Sequence, residues 1–212
     1  MINIELYPAD LHSVTYILLP MQLDGLKQLA LRYNTSIVAV TGIDWDNDLT
    51  PWAAPGVFRN DADFKGNAGM FLNILESKII PAAENKLCLS HDVVRNLCGI
   101  SLSGLFALWA WLQDDTFRNI AGISSSFWYD NFAAWLSSRP IPHKEGKAYF
   151  SLGNKEGSKN DNPRFQSVQA DTAAVVDSLR RAGITVEYEA TEGTHYAPPL
   201  PRIAKALQYL SD

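Results

Sequence analysis

Residues 95–109 have the sequence RNLCGISLSGLFALW, in which an apolar run, a cluster of small residues and a second apolar run follow one another. The first run, over 95–100, predicts a β-strand, and the second belongs to a helix predicted over 105–113. A strand that turns sharply into a helix at a serine is typical of a nucleophile elbow, a turn that exposes the serine hydroxyl. Ser101, which lies at the junction, is therefore the candidate nucleophile.

The neighbours of Ser101 must satisfy the sterics of such a turn. Strand and helix come so close that the positions two before and two after the serine must be small. Gly99 meets this requirement, and Ser103 meets it with a residue larger than the usual glycine. A second small-x-Ser-x-small sequence is centred on Ser124, but a predicted loop follows it instead of a helix. The alternative for Ser101 is a helix-capping serine.

On both sides of this motif, β-rich runs alternate with helical runs. Strands are predicted at 14–19, 36–41, 95–100, 119–123, 148–152 and 185–190. Helices are predicted at 22–33, 105–113, 131–137, 166–181 and 201–210, and another runs from Met70 to Ile80, where Pro81 kinks or closes it. This alternation predicts one α/β domain over residues 1–212, with a mostly parallel central sheet flanked by helices. Sites in such sheets lie at the carboxyl ends of the strands.

A serine nucleophile needs a histidine base and a carboxylate, which this kind of fold presents in the order Ser, acid, His. Of the four histidines, only His195 lies between the last predicted strand and the last predicted helix. Glu156 and Asp161 both follow the fifth predicted strand. Glu156 is preferred because it lies nearer the strand end, and Asp161 is the reserve. The alternative is that these are loop residues without a catalytic role.

Backbone N–H groups near Ser101 would stabilise the oxyanion that forms when a serine attacks a carbonyl. The N–H of Leu102 is one candidate, and the N–H of Ile43, in the loop after the second predicted strand, is the other. Three tryptophans lie in loops at the same predicted edge of the sheet: Trp45, Trp52 and Trp128. They predict an apolar acyl or aryl pocket, with ordinary core or rim packing as the alternative.

Composition and spacing argue against several other functions. The net charge is −5 and no basic cluster is longer than Arg180-Arg181, so no nucleic-acid partner is expected. The run Asp44-x-Asp46-x-Asp48 lacks the glycine and glutamate that a calcium loop requires. No nucleotide-binding glycine motif or metal-ligand spacing is present, and Cys88 and Cys98 fit no zinc pattern, so neither a cofactor nor a metal is predicted.

The N-terminal sequence bears on location. The first twenty residues contain no lysine or arginine, so the basic segment of a signal peptide is missing. No apolar run approaches the length of a membrane span. These features predict a cytoplasmic protein without a membrane partner, and the oligomeric state stays open.

The motifs together resemble the esterase group of the α/β-hydrolase superfamily, which includes enterobactin-type siderophore esterases, feruloyl and acetyl xylan esterases, and esterase D. The resemblance extends from about Ser36 to the C-terminus. It rests on five segments: Asp48-Leu49-Thr50-Pro51, Gly99-Ile100-Ser101, Ser124-Ser125-Ser126-Phe127-Trp128, Leu152-Gly153-Asn154-Lys155-Glu156 and Gly193-Thr194-His195. It implies that the family's catalytic serine, acid and histidine correspond to Ser101, Glu156 and His195.

The resemblance also implies how this chain differs from its relatives. Only the strand at 14–19 is predicted ahead of the strand at 36–41, so the N-terminal strands of the family look reduced. We therefore expect a minimal hydrolase with no separate lid and an open site.

The sequence thus predicts a serine esterase that cleaves a carboxylic ester of a small molecule through an acyl-enzyme. Thioester cleavage stays open, because the same residues serve all acyl transfer. The other alternative is a weak or inactive α/β-hydrolase scaffold that binds a small ligand or a protein partner. Its motivation is Ser103 beside the nucleophile and the short N-terminus.

Overall fold

The β-rich runs form one seven-stranded sheet in the computed structural model, which describes residues 1–157 and 162–211. The strands are β1 (Asn3–Tyr7), β2 (Ser13–Leu18), β3 (Ser36–Thr41), β4 (Ala53–Ala54), β5 (Phe64–Lys65), β6 (Val94–Ile100), β7 (Asn119–Ile123), β8 (Lys147–Gly153) and β9 (Thr185–Thr191). The strand order in the sheet is β1-β3-β2-β6-β7-β8-β9, and β4 pairs with β5 separately. Every pair in the large sheet is parallel except β1 with β3.

Helices connect the parallel strands. They are α1 (Leu26–Tyr33), α2 (Trp45–Asp48), α3 (Ala68–Ile74), α4 (Ile80–Leu87), α5 (Leu102–Trp111), α6 (Phe132–Ser137), α7 (Pro163–Gln166), α8 (Val168–Arg181) and α9 (Pro199–Ser211). A π-helical segment, Leu75–Ile79, joins α3 to α4. In the part of the chain that the structure describes, no helix is long and apolar enough to cross a membrane.

The sheet has an apolar layer on each face. Side chains alternate along a strand, so Tyr16 and Leu18 of β2 pack on one face while Ile17 packs on the other. The first face is covered by α3, α4, α5, α6 and α8, and the second by α1 and α9. This two-sided burial explains why the central strands are continuous apolar runs. The predicted α/β fold is confirmed.

Three of the differences from the sequence prediction concern an N-terminal strand, the start of α1 and the position of Pro81. The N-terminal strand β1 was not predicted, because it is short and none of its residues is fully buried, and because its partner β3 is distant in sequence. Helix α1 begins at Leu26 and not at residue 22, since Gly25 has a left-handed φ of 93° and ends the preceding turn. Pro81 does not close its helix: it lies in the first turn of α4, directly after the π-helical segment.

Gly99, at the end of β6, leads to a stability prediction. A Cβ at this position would lie 2.1 Å from the carbonyl oxygen of Ser103, a backbone atom that cannot move without distorting the turn. We expect Gly99→Ala to lower the free energy of unfolding by about 3 kcal/mol. Gly69→Ala is the matched control, because the nearest atom to its Cβ is Trp109 at 3.9 Å. That change should raise helix stability by about 0.5–1 kcal/mol.

Urea unfolding of both variants measures this difference. A Gly99→Ala protein as stable as the Gly69→Ala protein would contradict the tight approach of β6 to α5.

Candidate active site

The candidate residues converge at the carboxyl edge of the sheet. Ser101 follows β6, Glu156 follows β8 and His195 follows β9, and the three strands run parallel across the sheet. Parallel strands present their carboxyl ends to the same edge, where loops can bring side chains together. The topology therefore places on one rim residues that lie up to 94 positions apart in sequence.

The backbone at Ser101 is sharply bent. Its φ of 60° and ψ of −122° lie in a region that non-glycine residues rarely adopt. The bend is held by a hydrogen bond from the Ser101 N–H to the carbonyl of Ile123, at 2.9 Å, and α5 begins at the next residue. The hydroxyl is thereby raised above the end of β6.

Ser103 lies two residues after Ser101, at a position where glycine is usual. Hydrogen bonds accommodate its larger side chain. The side chain is fully buried, and its Oγ accepts from the Ile100 N–H at 2.7 Å. The same hydroxyl lies 2.9 Å from the carbonyl oxygens of Leu18 and Ile100, to which it can donate. A buried hydroxyl with these partners carries little desolvation cost, so Ser103 fits the turn.

The structure brings Ser101, His195 and Glu156 into a continuous chain of contacts. The Oγ of Ser101 lies 3.1 Å from Nε2 of His195, and Nδ1 of the same ring lies 3.0 Å from Oε2 of Glu156. The imidazole is 36% exposed at the pocket, whereas the carboxylate is 3% exposed. The histidine end of this chain of contacts is therefore open to a ligand, whereas the glutamate end is shielded from water.

Backbone contacts between two loops fix the distance between acid and histidine. The N–H of Asn154 donates to Thr191 at 2.8 Å, and the N–H of Lys155 donates to the carbonyl of Gly193 at 3.0 Å. Gly153 makes this close approach possible, because a Cβ there would lie 2.5 Å from the Gly193 carbonyl oxygen. Two backbone hydrogen bonds therefore join the loops after β8 and β9 next to Glu156 and His195.

Glu156 is held as a carboxylate. Burial alone would raise its pKa, but hydrogen bonds from His195, the Ser124 hydroxyl and the Gly153 N–H hold that pKa below its usual value. Asp161, the reserve acid, lies outside the described residues.

Three residues that contact the candidate site were not predicted from the sequence. The Ser126 Oγ lies 3.1 Å from the Ser101 Oγ, the Ser124 Oγ bonds Glu156, and Arg202 bonds Ser124. A signal for the serines was available: they belong to the second small-x-Ser-x-small sequence, directly after β7, which neighbours β6. Arg202 had no such signal, since an arginine in a terminal helix ordinarily faces solvent.

A pocket of about 270 Å³ opens over Ser101 and His195. Its lining includes Trp45, Phe64, Trp128 and Phe165 among the described residues, together with the Asp46 carboxylate. Trp128 packs edge-to-face on Phe165, with ring centroids 5.0 Å apart. These rings form an apolar slot next to the candidate nucleophile.

Trp52 is placed differently from the other two predicted tryptophans. Its indole N–H donates to the Asp130 carbonyl at 3.0 Å, and its ring packs against Phe132 and Trp135. It is not part of the described pocket lining. Trp52 thus matches the packing alternative, whereas Trp45 and Trp128 face the pocket.

The two N–H groups predicted to donate to the oxyanion lie in different environments. Leu102 lines the pocket and is the first residue of α5, so its N–H has no partner carbonyl inside the helix. It also lies at the positive end of the helix dipole. Ile43 follows β3, and its buried side chain packs into the core. Its N–H stays a prediction.

The fold and the family match together define an esterase of the α/β-hydrolase superfamily. The chain belongs to the family described as "Putative esterase", whose model matches residues 21–200. It is 26% identical over 169 residues to the uncharacterized protein YbbA of Bacillus subtilis, covering 77% of this chain and 67% of YbbA.

Solved structures share the fold at lower identity. An IroE-like serine hydrolase from Shewanella oneidensis has a TM-score of 0.76 and 18% identity, covering 97% of this chain and 72% of that one. The siderophore hydrolase EstB from Aspergillus nidulans has a TM-score of 0.71 and 17% identity, with coverage of 99% and 90%. The BES protein from Bacillus cereus has a TM-score of 0.68 and 20% identity, with coverage of 100% and 91%.

Proposed function

We propose that this esterase hydrolyses a carboxylic ester of a small molecule through an acyl-enzyme, with Ser101 as nucleophile, His195 as general base and Glu156 as the acid that orients the histidine. The observation that carries the proposal is the contact chain from the Ser101 Oγ to His195 at 3.1 Å and on to Glu156 at 3.0 Å. These are the distances that proton transfer between positioned groups requires.

The first half of the reaction forms the acyl-enzyme. The Ser101 Oγ attacks the ester carbonyl carbon as its proton passes to Nε2 of His195. The tetrahedral intermediate collapses by breaking the bond to the alkoxy oxygen, which leaves as an alcohol with the proton from His195. Glu156 accepts a hydrogen bond from Nδ1, so that Nε2 is free to act as a base, and its charge stabilises the imidazolium.

The second half reverses these roles with water. His195 takes a proton from a water molecule, which attacks the acyl carbon, and the Ser101 Oγ leaves with that proton. The products are a carboxylic acid and the regenerated serine. The N–H of Leu102, at the start of α5, and that of Ile43 are the proposed oxyanion donors in both halves.

The pocket favours substrates with an aromatic or bulky apolar acyl group, because its walls carry Trp45, Phe64, Trp128 and Phe165. The names of structural neighbours point the same way. They include an enterobactin and salmochelin hydrolase and a ferulic acid esterase. Esters of aromatic acids, including hydroxycinnamate esters, are therefore the first substrates to test.

We expect Trp128→Ala to lower kcat/KM for methyl benzoate by about tenfold and that for methyl acetate by about twofold at most. The reason is that the truncated side chain removes an aromatic wall that only the larger acyl group contacts. Trp135→Ala is the matched control, because Trp135 packs on Trp52 and Phe132 and is not part of the described pocket lining. Acid release under steady-state conditions measures both rates.

Equal losses on the two esters, or an equal preference change in Trp135→Ala, would contradict an aryl pocket at Trp128.

The proposed function is tested by a fluorophosphonate probe, which phosphonylates an activated serine. We expect peptide mass spectrometry to find the label on Ser101, and we expect turnover of ester substrates in a panel of esters, thioesters and amides. A preference for thioesters would make the protein a thioesterase with the same residues. Absence of labelling and of turnover would favour the inactive ligand-binding scaffold.

A further inference from the structure

A guanidinium is buried beneath the acid of the candidate site. Arg202 lies in the first turns of α9, and its side chain is 7% exposed. Its Nη2 donates to the Ser124 Oγ and lies 3.6 Å from Oε1 of Glu156. Its Nε is also buried and has no hydrogen-bond partner within the described residues. The Nη2 of Arg202 therefore lies against the inner oxygen of the Glu156 carboxylate and against the hydroxyl that bonds this oxygen.

Ser124 connects the guanidinium to the carboxylate. It directly follows β7 and has a left-handed φ of 46°, and its N–H donates to the Ser151 carbonyl of β8 at 2.7 Å. Its hydroxyl accepts from Arg202 and donates to Oε1 of Glu156. The strained backbone thus holds this hydroxyl between two charges, where its orientation is determined at both ends.

The two carboxylate oxygens of Glu156 have different partners. Oε1 accepts from Ser124 and from the Gly153 N–H at 2.8 Å, while Oε2 faces His195. Because Oε1 accepts hydrogen bonds from two directions, these bonds oppose rotation of the carboxylate and favour the orientation in which Oε2 faces the imidazole.

Stability alone does not account for this arrangement. Removing a guanidinium from water is costly, and a buried ion pair is often no more stabilising than apolar side chains of the same volume. A leucine or methionine at position 202 would pack into α9 as its neighbours Ile203, Ala206 and Leu207 do. A buried charge next to the acid of the candidate site is better explained by an effect on the orientation and the ionisation of that acid.

We propose that Arg202 and Ser124 are positioning residues for Glu156, and that they orient Oε2 toward His195 and keep the carboxylate ionised during turnover. The inference rests on the proposed function, because it assigns further residues to the same catalytic centre. Neither residue belongs to the described pocket lining, so their action passes through Glu156 and not through the substrate.

The charges around this network define its pH behaviour. Arg202 faces Glu156, Tyr149 and Glu189, and Glu156 faces His195 and Tyr188. Lys205, on α9, pairs with Glu189. Burial lowers the pKa of Arg202 from its very high ordinary value, which leaves the guanidinium charged throughout the working range.

The sign of the expected effect follows from that charge. The Arg202 cation opposes a second positive charge on His195, since both lie against the same carboxylate. Without the cation, Glu156 stabilises the imidazolium more strongly, and a higher pH is needed to obtain the neutral base. The acidic limb of the kcat/KM profile therefore moves to higher pH when Arg202 is neutralised.

The experiment compares pH profiles of folded variants. We expect Arg202→Met to lower kcat/KM about tenfold or more and to move the acidic limb up by about 0.5–1 pH unit. Arg202→Lys should keep the limb near its wild-type position. Arg95→Met is the matched control, because Arg95 pairs with Glu84 at 2.6 Å at the amino end of the strands. It should lose stability without a shift of the limb.

Ser124→Ala is the second variant and decides the question if Arg202→Met does not fold. We expect about a tenfold fall in kcat with KM unchanged, because Glu156 loses one of the bonds that fix it while the pocket keeps its walls. The rate of fluorophosphonate labelling of Ser101 should fall by a similar factor.

The outcomes separate this inference from the proposed function. If the probe does not label Ser101 in the wild type, the proposed function fails and the inference fails with it. If Ser101 is labelled, an unchanged acidic limb in folded Arg202→Met overturns the inference alone. Wild-type kcat and labelling in Ser124→Ala do the same.

Discussion

Ser101→Ala is expected to lower kcat/KM for ester hydrolysis by about 10⁴-fold or more, with the fold intact. The hydroxyl is the atom that forms the acyl-enzyme, and no other change in the site removes the covalent route so completely. Residual hydrolysis would come from water held near His195 and from the oxyanion N–H groups. Initial rates with p-nitrophenyl acetate measure the loss.

The fold should tolerate this change because alanine keeps the Cβ atom of serine. The backbone at position 101 can therefore retain its φ of 60° without a new steric contact. The lost contacts are those of the Oγ to His195 and to Ser126. Ser137→Ala, at an exposed serine of α6, is the matched control and should keep wild-type activity and melting temperature. A Ser101→Ala protein as active as wild type would refute the nucleophile assignment.

Glu156→Gln is expected to lower kcat by about 10⁴-fold, the size of effect found when a triad carboxylate becomes an amide. A glutamine can present its NH₂ group to Nδ1 of His195, which favours the tautomer whose Nε2 carries the proton and cannot act as a base. Arg202 would also lose its nearest negative charge. We therefore expect a lower melting temperature as well.

Two matched variants separate these effects. Glu189→Gln removes another carboxylate that interacts with Arg202, one that bonds Tyr149 and Lys205 instead of the histidine. It should cost stability and leave kcat within about twofold of wild type. Asp161→Asn should also keep wild-type kcat. Strong loss in Asp161→Asn with an active Glu156→Gln would move the acid assignment to Asp161.

Much of the fold could be predicted from the sequence because its signals are local. The strands over Ser36–Thr41 and Asn119–Ile123 match their predicted bounds, since each is a short apolar run with breakers at its ends. The edge strand β1 could not be predicted in this way. It is only partly buried, and it forms because its backbone pairs with β3, which lies 30 to 38 positions away.

The same distinction between local and distant signals applies to the candidate site. Ser101, Glu156 and His195 could be proposed from the sequence because each follows a predicted strand, and strand ends in a parallel sheet share one edge. The fit of Ser103 could not be judged, because it depends on the carbonyl of Leu18, which is 85 positions away. Trp52 was taken for a pocket residue because a loop position does not tell which way a side chain faces.

The sequence by itself determined the alternation of the parallel strands with the longer helices, the small residues of the turn at Ser101, and the strand ends that carry the acid and the histidine. These depend on periodicity and on steric limits within a few residues. Only the tertiary structure decided what surrounds Glu156, because Ser124 lies 32 positions from it and Arg202 lies 78 positions from Ser124. A hydrogen bond forms only within about 3 Å, and no sequence pattern records which distant side chains the packing of α9 brings to that distance.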